Sequence, residues 1–447
     1  MAKLHLITYG CQMNEYDSER VAGLLRDQHY ELTDDARAAD LILLNTCAIR
    51  EKAEDKVFSK LGELRSLKQR NPGLVVGVMG CMAPLHGAAI RARAPMVDLV
   101  FGSAAIARVG ELVDRARRAR TPIVETGEAP LVKITARPDT GPRLRAYVTV
   151  MEGCEKHCTF CVVPVTRGRE RSHRPEAIVA EVRDLVTHGC REVTVLGQTV
   201  NAYGRDLTPP TDLADLLAEV SEVEDLRRIR FTTSNPYNLT PRLIAAFRDL
   251  PKVCKYFHLP LQSGSNTVLA EMNRGYTRER YLELIDDLRT AVPEVALSTD
   301  LIVGFPGETE DDFAATVAMV ERVAYDNVFA FRYSPRPGTP AAARRDQVDA
   351  AVKARRNADL LAVTTRVAGA RSACLAGRTL EVLVDGASRK DARMLSGRTD
   401  CNRVVNFEGD GVTAPGDCVP VRITEVLPHS LRGTLAVKPE EAVCFSR

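Results

Sequence analysis

The feature that most constrains the fold is a repeat of short apolar segments that alternate with helical patterns over residues 146–333. Strands that alternate with helices build parallel sheets, because each return to the same sheet edge needs a crossover. Six repeats are too few to close the eight-stranded βα barrel, so the sequence predicts a partial (βα)6 barrel with an open side. A doubly wound sheet is the alternative. The predicted strands are Ala146 to Met151, Glu192 to Leu196, Arg228 to Thr232, Tyr256 to Pro260, Ala296 to Val303 and Asn327 to Tyr333.

The amino-terminal part shows the same alternation and predicts a separate open, parallel α/β sheet. Its strand-like segments are Leu4 to Thr8, Leu41 to Asn45 and Leu74 to Met79, with helical patterns from Asn14 to Gln28 and from Glu51 to Gln69. The polar, proline-containing stretch from Thr121 to Arg143 has no sustained period and is typical of a linker. We therefore predict an N-terminal domain at 1–118, a linker at 119–140 and an α/β core at 141–371.

The carboxy-terminal part changes character after a helical, Ala- and Arg-rich stretch from Asp346 to Ala370. Alternating segments then follow around glycine-containing turns, at Thr379 to Val384, Asn402 to Phe407 and Cys418 to Thr424. Short alternating strands with turn residues between them predict a small β-barrel. We place this third domain at 372–440.

Composition limits the classes of function. Lys plus Arg number 61 against 59 Asp plus Glu, so any nucleic-acid surface must be a local basic patch. Hydrophobic residues at 45% and charged residues at 27% are ordinary globular values, which excludes disorder, collagen and coiled coil. No apolar run approaches the roughly 18 residues of a membrane span, and no signal-type segment opens the chain. We expect a cytoplasmic protein that does not contact a membrane.

Three of the twelve cysteines lie close together directly after the first strand of the core. Residues 152–161 read Glu-Gly-Cys-Glu-Lys-His-Cys-Thr-Phe-Cys, which places Cys154, Cys158 and Cys161 in a Cys-x3-Cys-x2-Cys pattern. Three close thiolates suit a [4Fe-4S] cube with one iron left open for a small molecule. Zinc is the alternative, with His157 as a candidate fourth ligand.

At this motif the chain resembles the radical S-adenosylmethionine (SAM) superfamily, whose signature includes an aromatic residue before the last cysteine, here Phe160. The resemblance implies reductive cleavage of SAM to a 5′-deoxyadenosyl radical. It also implies a SAM pocket at the ends of later strands. The matching residues are Gly197 and Gln198 after the second strand and Asp300 and Gly304 in and after the fifth.

Polar residues after the third and fourth strands extend this candidate pocket. Ser234 follows the third strand, and Gln262 and Ser263 follow the fourth, at the strand ends where α/β barrels place their sites. Ordinary helix capping is the competing interpretation for hydroxyls here, as for Ser265 and Thr277.

A second set of cysteines lies in the N-terminal domain. Cys11, Cys47 and Cys81 each follow a predicted strand. Parallel strands bring their carboxyl ends to one edge of the sheet, so the three thiols should meet there. They would hold a second [4Fe-4S] cluster with an open iron, able to bind sulfur. Buried packing cysteines are the alternative.

With both sets in place, the whole chain resembles the methylthiotransferases, which combine a three-cysteine N-terminal domain, a radical SAM core and a TRAM-type β-barrel. Residues 10–19 read Gly-Cys-Gln-Met-Asn-Glu-Tyr-Asp-Ser-Glu, and residues 45–54 read Asn-Thr-Cys-Ala-Ile-Arg-Glu-Lys-Ala-Glu. Both strings are similar to the branch that modifies N6-dimethylallyladenosine in tRNA. The branch that modifies a ribosomal protein carries Pro-Lys-Asn where this chain has Gln12, Met13 and Asn14.

The resemblance implies cofactors and partners. It implies two [4Fe-4S] clusters and two SAM molecules per product, one giving a methyl group to sulfur at the Cys11, Cys47 and Cys81 cluster and one giving the radical. The partners are tRNA that bears N6-dimethylallyladenosine, SAM, and external sources of electrons and sulfur, and we expect a monomer. Alternatives are methylthiolation of a ribosomal-protein aspartate or of threonylcarbamoyladenosine in tRNA, and a non-catalytic iron–sulfur protein that binds RNA.

Contact with RNA should be electrostatic and local. The C-terminal domain carries a basic cluster, and a solvated barrel face is the competing interpretation. The cluster consists of Arg389, Lys390, Arg393, Arg398 and Arg403. Arg167, Arg169 and Arg171 in the core are further candidates for approach to the RNA backbone.

Overall fold

The computed structural model describes residues 1–48, 51–119, 121–136 and 143–436, with the side chains of residues 51–53 and 119 left out. Its first unit is a six-stranded, fully parallel sheet in the order β2-β1-β3-β4-β5-β6. The strands are β1 (Ala2–Tyr9), β2 (Tyr30–Leu32), β3 (Leu41–Thr46), β4 (Val75–Gly80), β5 (Leu99–Phe101) and β6 (Ile123–Glu125). The helices are α1 (Gln12–Arg26), α2 (Glu51–Arg70), α3 (Met82–His86), α4 (Ala88–Arg93) and α5 (Val109–Ala119).

Burial on both faces explains why β3 reads as a continuous apolar run. Leu41 and Leu43 pack in one cluster with residues of α1 and α5, whereas Ile42 and Leu44 pack in another with residues of α2. Successive side chains of a strand point to opposite faces, so a strand between two helical layers needs an apolar residue at every position.

Strand β6 differs from the prediction for this stretch. Ile123–Glu125 pairs in parallel with β5 and so belongs to the N-terminal sheet, although it falls in the predicted linker. Three residues are too few to show a period in the sequence. Residues 120 and 137–140 of the predicted linker lie outside the described residues.

The core contains the six predicted barrel strands, β7 (Arg145–Thr149), β10 (Glu192–Leu196), β11 (Arg228–Phe231), β12 (Tyr256–His258), β13 (Ala296–Val303) and β14 (Asn327–Arg332). A short hairpin of β8 (Met151–Glu152) and β9 (Arg171–Ser172) accompanies them. The helices are α6 (Val163–Arg167), α7 (Pro175–Thr187), α8 (Leu213–Ser221), α9 (Pro241–Asp249), α10 (Asn266–Glu271), α11 (Arg278–Ala291), α12 (Glu310–Val323) and α13 (Ala350–Ala373).

Strand order confirms the partial barrel. Two parallel ladders, β7-β10-β11 and β12-β13-β14, are joined by a parallel bridge between Ile229 and Val253. Chain order and spatial order therefore agree from β7 to β14, whereas a doubly wound sheet would reverse direction at a switch point. The strands β7 and β14 are the two edges of the curved sheet.

The third unit is a closed barrel in the order β15-β16-β17-β19-β18. Its strands are β15 (Thr379–Ala387), β16 (Met394–Thr399), β17 (Val404–Glu408), β18 (Cys418–Val426) and β19 (Leu431–Leu435). The small β-barrel is confirmed, but the sequence revealed only three of these strands. Residues 437–440 of the predicted domain lie outside the described part of the chain.

The small barrel sits at the amino ends of the first core strands. Arg228 donates hydrogen bonds to the carbonyl oxygens of Arg398 and Glu381, and Arg230 donates to those of Thr399 and Asp400. These contacts cover the end of the partial barrel opposite to the carboxyl ends of its strands, where sites of such barrels lie. No helix in the described ranges is both long and apolar enough to cross a bilayer.

Candidate active site

The loop that carries Cys154, Cys158 and Cys161 leaves the β8 hairpin at Gly153. This glycine has φ +80°, and a Cβ there would lie 1.9 Å from the carbonyl oxygen of Arg169. Only glycine fits such a position, because the backbone conformation and the close approach both exclude a side chain. The amide of Cys161 donates to the carbonyl oxygen of Cys158, which closes a tight turn between these two cysteines.

Polar groups surround the sulfur atoms of this loop. Arg274 Nη1 lies 3.0 Å from Cys158 Sγ, and Thr199 Oγ1 lies 3.3 Å from Cys154 Sγ. Burial raises the pKa of the Cys161 thiol to about 12. A thiol that burial keeps neutral becomes a thiolate ligand when a metal centre supplies the compensating positive charge. The loop therefore fits a cluster that binds through thiolates.

The candidate SAM residues after β10 and β11 lie beside this loop. Gln198 accepts a hydrogen bond from the Gly153 amide through Oε1, at 2.5 Å, so it ties the end of β10 to the cysteine loop. Gly197 is packed closely, since a Cβ would lie 2.6 Å from the Met151 side chain. Ser234 is 3% exposed, and its buried hydroxyl has no hydrogen-bond partner among the described residues. A buried hydroxyl without a partner suits a polar ligand.

The two candidates after β12 differ in their surroundings. Gln262 has φ +75°, and its backbone amide and carbonyl bond to Asp300 and Ile302 of β13. The Ser263 hydroxyl is fully buried and lies 3.4 Å from the Thr316 hydroxyl, and it accepts from the Ser265 amide. It holds the loop internally, and a SAM contact of Ser263 stays a prediction.

Helix capping accounts for the other hydroxyls considered in this region. The side chains of Ser265 and Thr277 accept hydrogen bonds at the starts of α10 and α11. Because an N-cap oxygen satisfies an amide that the helix leaves open, these residues need no ligand to explain them.

Asp300 and Gly304 belong to β13 and the turn after it. Asp300 Oδ2 lies 3.5 Å from His258 Nε2, and the side chain of Asp300 is 30% exposed on the concave face of the sheet. Gly304 has φ +72°, and the stem of Lys353 lies where a Cβ would be. Close packing explains this glycine as it explains Gly197, and a SAM contact stays a prediction for both.

The three N-terminal cysteines lie at one edge of the first sheet. Cys11 is the N-cap of α1, Cys47 follows β3 and Cys81 follows β4. The Cys47 amide donates to the Tyr9 carbonyl, which continues the pairing of β1 and β3 up to the cysteines. Cys47 lies 36 residues after Cys11, and Cys81 lies 34 residues after Cys47. Parallel strands end at one edge of the sheet, so these distant cysteines become neighbours.

Two buried asparagines join the loops of Cys11 and Cys47. Asn14 Oδ1 accepts from the Cys11 amide at 3.3 Å, and its Nδ2 donates to Asn45 Oδ1 at 2.9 Å. Asn45 returns a bond to the Asn14 carbonyl at 2.8 Å. Asn14 and Asn45, one from each of the two sequence strings, therefore hold the loops of Cys11 and Cys47 together. Residues 49 and 50 of the second string lie outside the described residues.

Electrostatics favour anionic sulfur at this edge. A hydrogen bond from Cys47, assisted by the charge of Arg167, lowers the pKa of Cys11 to about 5 against the effect of burial. Burial raises the pKa of Cys81. Thiolate is the form that binds iron, so the site is prepared for a metal centre at Cys11.

Arg167 reaches this edge from the core, which corrects the prediction that it approaches RNA. It is 5% exposed, its Nε lies 3.3 Å from Cys81 Sγ, and its Nη2 pairs with Asp17 at 2.6 Å. Arg167 and Arg274 are thus the site residues that sequence reasoning missed. Their spacing from the cysteines carries no signal, because the fold alone brings them to sulfur.

The spread of the ligands distinguishes a single metal ion from a cluster. Three ligands of one ion must converge on one point, and no group of three His, Cys, Asp or Glu side chains in the described ranges does so. In a cube each cysteine binds a different iron, so its ligands stand further apart.

The concave face of the partial barrel connects the two sites. Cys11, Met13 and Tyr16 belong to one apolar cluster with Leu196 and Tyr147, which lie on the concave side of β10 and β7. The opposite edge strand presents Phe329 and Phe331, 45% and 40% exposed, while Val328 and Ala330 pack outward against the helices. Aromatic side chains therefore line the concave face at both edges of the open side.

The predicted basic cluster of the small barrel divides into two groups. Arg389, Lys390 and Arg393 are exposed, with Arg393 paired to Asp391. Arg403 instead pairs with Asp326 of the core at 3.2 Å, and half-buried Arg398 lies beside Arg145. The last two lie at the contact between barrel and core, and RNA binding stays a prediction for all five residues.

Comparison with protein families divides the chain as the structure does. Residues 3–102 match the uncharacterized protein family UPF0004, residues 148–320 match the radical SAM superfamily, and residues 375–436 match the TRAM domain. The radical SAM match establishes the chain as an enzyme that uses SAM and a [4Fe-4S] cluster.

Whole-length relatives decide the family. The tRNA-2-methylthio-N(6)-dimethylallyladenosine synthase of Stutzerimonas stutzeri is 48% identical, over 97% of this chain and 99% of its own length. That of Moorella thermoacetica is 46% identical, over 96% and 97%. The chain belongs to the tRNA-2-methylthio-N(6)-dimethylallyladenosine synthase family. The resemblance to methylthiotransferases is thereby confirmed.

Solved structures support the fold of this synthase-family chain. The radical SAM methyltransferase TsrM of Kitasatospora setae, solved with cobalamin and a [4Fe-4S] cluster, matches with a TM-score of 0.54 at 14% identity, over 76% of this chain and 74% of TsrM. The radical SAM enzyme OxsB matches with a TM-score of 0.52 at 13% identity, over 82% and 56%. At such low identity the likeness concerns the fold alone.

Proposed function

We propose that this chain transfers a methylthio group to carbon 2 of N6-dimethylallyladenosine, next to the anticodon of tRNA. The observation that carries the proposal is the apolar cluster that joins Cys11 and Met13 to Leu196 and Tyr147. This cluster brings the edge of the N-terminal sheet that carries its cysteines to the concave face of the partial barrel. The loop of Cys154, Cys158 and Cys161 lies at the strand ends of that same face. A group held at one site can thus reach a substrate activated at the other.

The first site comprises Cys154, Cys158 and Cys161 with the strand ends around them. A [4Fe-4S] cluster there would supply the electron that cleaves SAM into methionine and a 5′-deoxyadenosyl radical. Gln198 fixes the loop through the Gly153 amide. Ser234, Gln262, Asp300 and the backbone at Gly197 and Gly304 surround the SAM position, with the Ser234 hydroxyl able to donate or accept a hydrogen bond.

The second site comprises Cys11, Cys47 and Cys81, which would hold an auxiliary cluster that carries sulfur. The asparagine pair Asn14 and Asn45 keeps the loops of Cys11 and Cys47 together. Burial of Cys47 and Cys81, at 2% and 6% exposure, excludes water from a reactive sulfur.

The aromatic edge of the concave face suits the prenylated base. Phe329 and Phe331 are neighbours of Asp300 and Ile302 in the ladder of β13 and β14, and all four lie on the concave side. A flat purine stacks on aromatic rings, and the five-carbon prenyl group gains from apolar contact. We assign the dimethylallyl group to this edge.

The TRAM barrel would add phosphate contacts to these contacts with the base. Its exposed group of Arg389, Lys390 and Arg393 supplies positive charge without sequence information. Electrons and sulfur would come from external donors. The expected monomer and the cytoplasmic location belong to the same proposal.

The proposal is tested with three substrates offered side by side under anaerobic conditions. These are tRNA that bears N6-dimethylallyladenosine, the same tRNA without the prenyl group, and the small ribosomal subunit. We expect methylthiolation of the first, weak or no activity on the second and none on the third, measured by mass spectrometry of nucleosides and peptides. Labelling of the ribosomal subunit alone would establish the ribosomal-protein alternative. A tRNA carrying threonylcarbamoyladenosine tests the remaining methylthiotransferase alternative. Absence of 5′-deoxyadenosine in every arm would favour the non-catalytic RNA-binding protein.

A further inference from the structure

Arg167 is a buried charged residue. It forms an ion pair between two domains and has further donor groups that this ion pair does not use. It ends helix α6, which begins at Val163, two residues after Cys161. Its side chain crosses into the N-terminal unit, where Nη2 lies 2.6 Å from Asp17 Oδ2. Both side chains are almost fully buried, at 2% and 4% exposure. This pair alone would satisfy one edge of the guanidinium.

The rest of the guanidinium faces sulfur. Its Nε lies 3.3 Å from Cys81 Sγ. Its Nη1 is buried and has no hydrogen-bond partner among the described residues. Removing a charged N–H from water without a partner costs stability, so a buried spare donor is an observation that points to a ligand.

The position of this spare donor limits what the ligand can be. Arg167 contacts Cys81, so its guanidinium stands beside the sulfur of one of the three N-terminal cysteines. A cationic donor beside thiolates attracts anions. The anion that a sulfur-transferring site receives is sulfide or methanethiolate.

We propose that Arg167 is a positioning residue of the auxiliary site, which donates one hydrogen bond to Cys81 and another to an anionic sulfur ligand held there. The proposal rests on the assignment of Cys11, Cys47 and Cys81 to an auxiliary cluster. Hydrogen bonds and positive charge next to cluster sulfur stabilise the more reduced, more negative state and so raise its reduction potential. Helix α6 directly follows the loop of Cys154, Cys158 and Cys161. Arg167 therefore also fixes the position of that loop relative to the N-terminal cysteines.

The test uses the full chain with Cys154, Cys158 and Cys161 changed to Ala, so that any remaining cluster belongs to the auxiliary site. After anaerobic reconstitution, two quantities are measured: the cluster's reduction potential, by spectroelectrochemistry, and its affinity for sodium methanethiolate, by electron paramagnetic resonance. Arg167→Met and Arg167→Lys are compared with Asp17→Asn, which keeps the guanidinium beside Cys81 but removes the ion pair.

We expect Arg167→Met to weaken methanethiolate binding at least tenfold and to lower the potential by at least 59 mV, the one-electron equivalent of a tenfold change. Arg167→Lys should recover part of both effects. Asp17→Asn should change the affinity less than twofold and the potential by less than about 18 mV, the one-electron equivalent of twofold. Equal effects of Arg167→Met and Asp17→Asn, or no effect of Arg167→Met, would reduce Arg167 to a contact between domains. If Arg167→Met holds no cluster, the comparison of Arg167→Lys with Asp17→Asn decides in the same way. An absence of iron already in the parent protein would refute the auxiliary cluster itself.

Discussion

Arg230 and Glu192 form a buried ion pair on neighbouring strands of the partial barrel. Arg230 Nε lies 3.1 Å from Glu192 Oε2, and the two side chains are 8% and 3% exposed. Arg230 also donates to the carbonyl oxygens of Thr399 and Asp400 in the TRAM barrel. The terminal nitrogens of Arg230 are therefore satisfied by the third domain, so core and barrel stabilise each other.

This relationship predicts a stability effect for Arg230→Met. Removing one partner leaves Glu192 with less compensation in a buried setting, which typically costs about 3–5 kcal/mol. We expect a loss of that size in the free energy of unfolding, measured with urea, and faster proteolysis between α13 and β15. Arg242→Met is the matched control, since Arg242 pairs with Asp212 and Asp215 at the surface. An exposed pair contributes about 0–1 kcal/mol, so equal losses would contradict the prediction.

Changing Cys154, Cys158 and Cys161 together to Ala should abolish 5′-deoxyadenosine formation. The reason is that SAM cleavage needs the electron of the cluster that these thiolates hold. Bound iron should fall by about one cube, four irons. The control is Cys374→Ala, which removes an exposed thiol elsewhere in the chain. Cleavage at the unmodified rate by the triple variant would reject the assignment.

Changing Cys11, Cys47 and Cys81 to Ala should separate the two halves of the reaction. SAM cleavage should persist, because its site lies in the core, but no methylthio product should form. The measurement combines chromatography of 5′-deoxyadenosine with mass spectrometry of the tRNA. Full methylthiolation by this variant would show that the three N-terminal cysteines do not deliver the sulfur.

Changing Arg389, Lys390 and Arg393 to Ala should weaken tRNA binding and flatten its dependence on salt. Each lost phosphate contact lowers the slope of log affinity against log salt by about 0.7–0.9, so three contacts lower it by roughly 2. SAM cleavage without RNA should not change. Arg280→Ala provides the control, because this exposed arginine pairs with Glu283 on α11. Identical slopes for wild type and the triple variant would exclude these residues from RNA binding.

Phe329→Ala and Phe331→Ala should reduce discrimination between prenylated and unprenylated tRNA. Loss of stacking costs about 1–3 kcal/mol per ring, and the apolar contact with the prenyl group is lost with it. We expect kcat/KM to fall for both substrates, because both lose stacking of the purine, and to fall further for the prenylated substrate, which also loses the apolar contact. The exposed apolar residue Val412, in a turn of the small barrel, provides the control variant Val412→Ala. An unchanged ratio of the two kcat/KM values would place the prenyl group elsewhere.

The elements that sequence reasoning found are those with an unmistakable period and burial. Glu192–Leu196 and Ala296–Val303 match their predicted bounds, because their alternation continues to the strand ends. The strands it missed depend on neighbours. Leu431–Leu435 contains Gly433, and a glycine in a sequence usually indicates a turn. In the structure a Cβ at Gly433 would lie 2.5 Å from the Arg422 carbonyl oxygen, so this glycine allows the close approach of two strands. Met394–Thr399 has a glycine for the same reason, at Gly397.

The amino-acid sequence by itself determined the class of chemistry, because cluster ligation depends on which residues are cysteines and on their place after strands. Cys154, Cys158 and Cys161 are local in the chain, so their meeting requires one turn and little else. Tertiary structure alone decided which arginines lie beside the cysteine sulfur atoms. Arg167 and Arg274 reach sulfur, whereas Arg403 reaches Asp326, and no local pattern distinguishes them. The physical reason is that a long charged side chain takes its role from what surrounds its tip, and the packing of whole domains sets those surroundings.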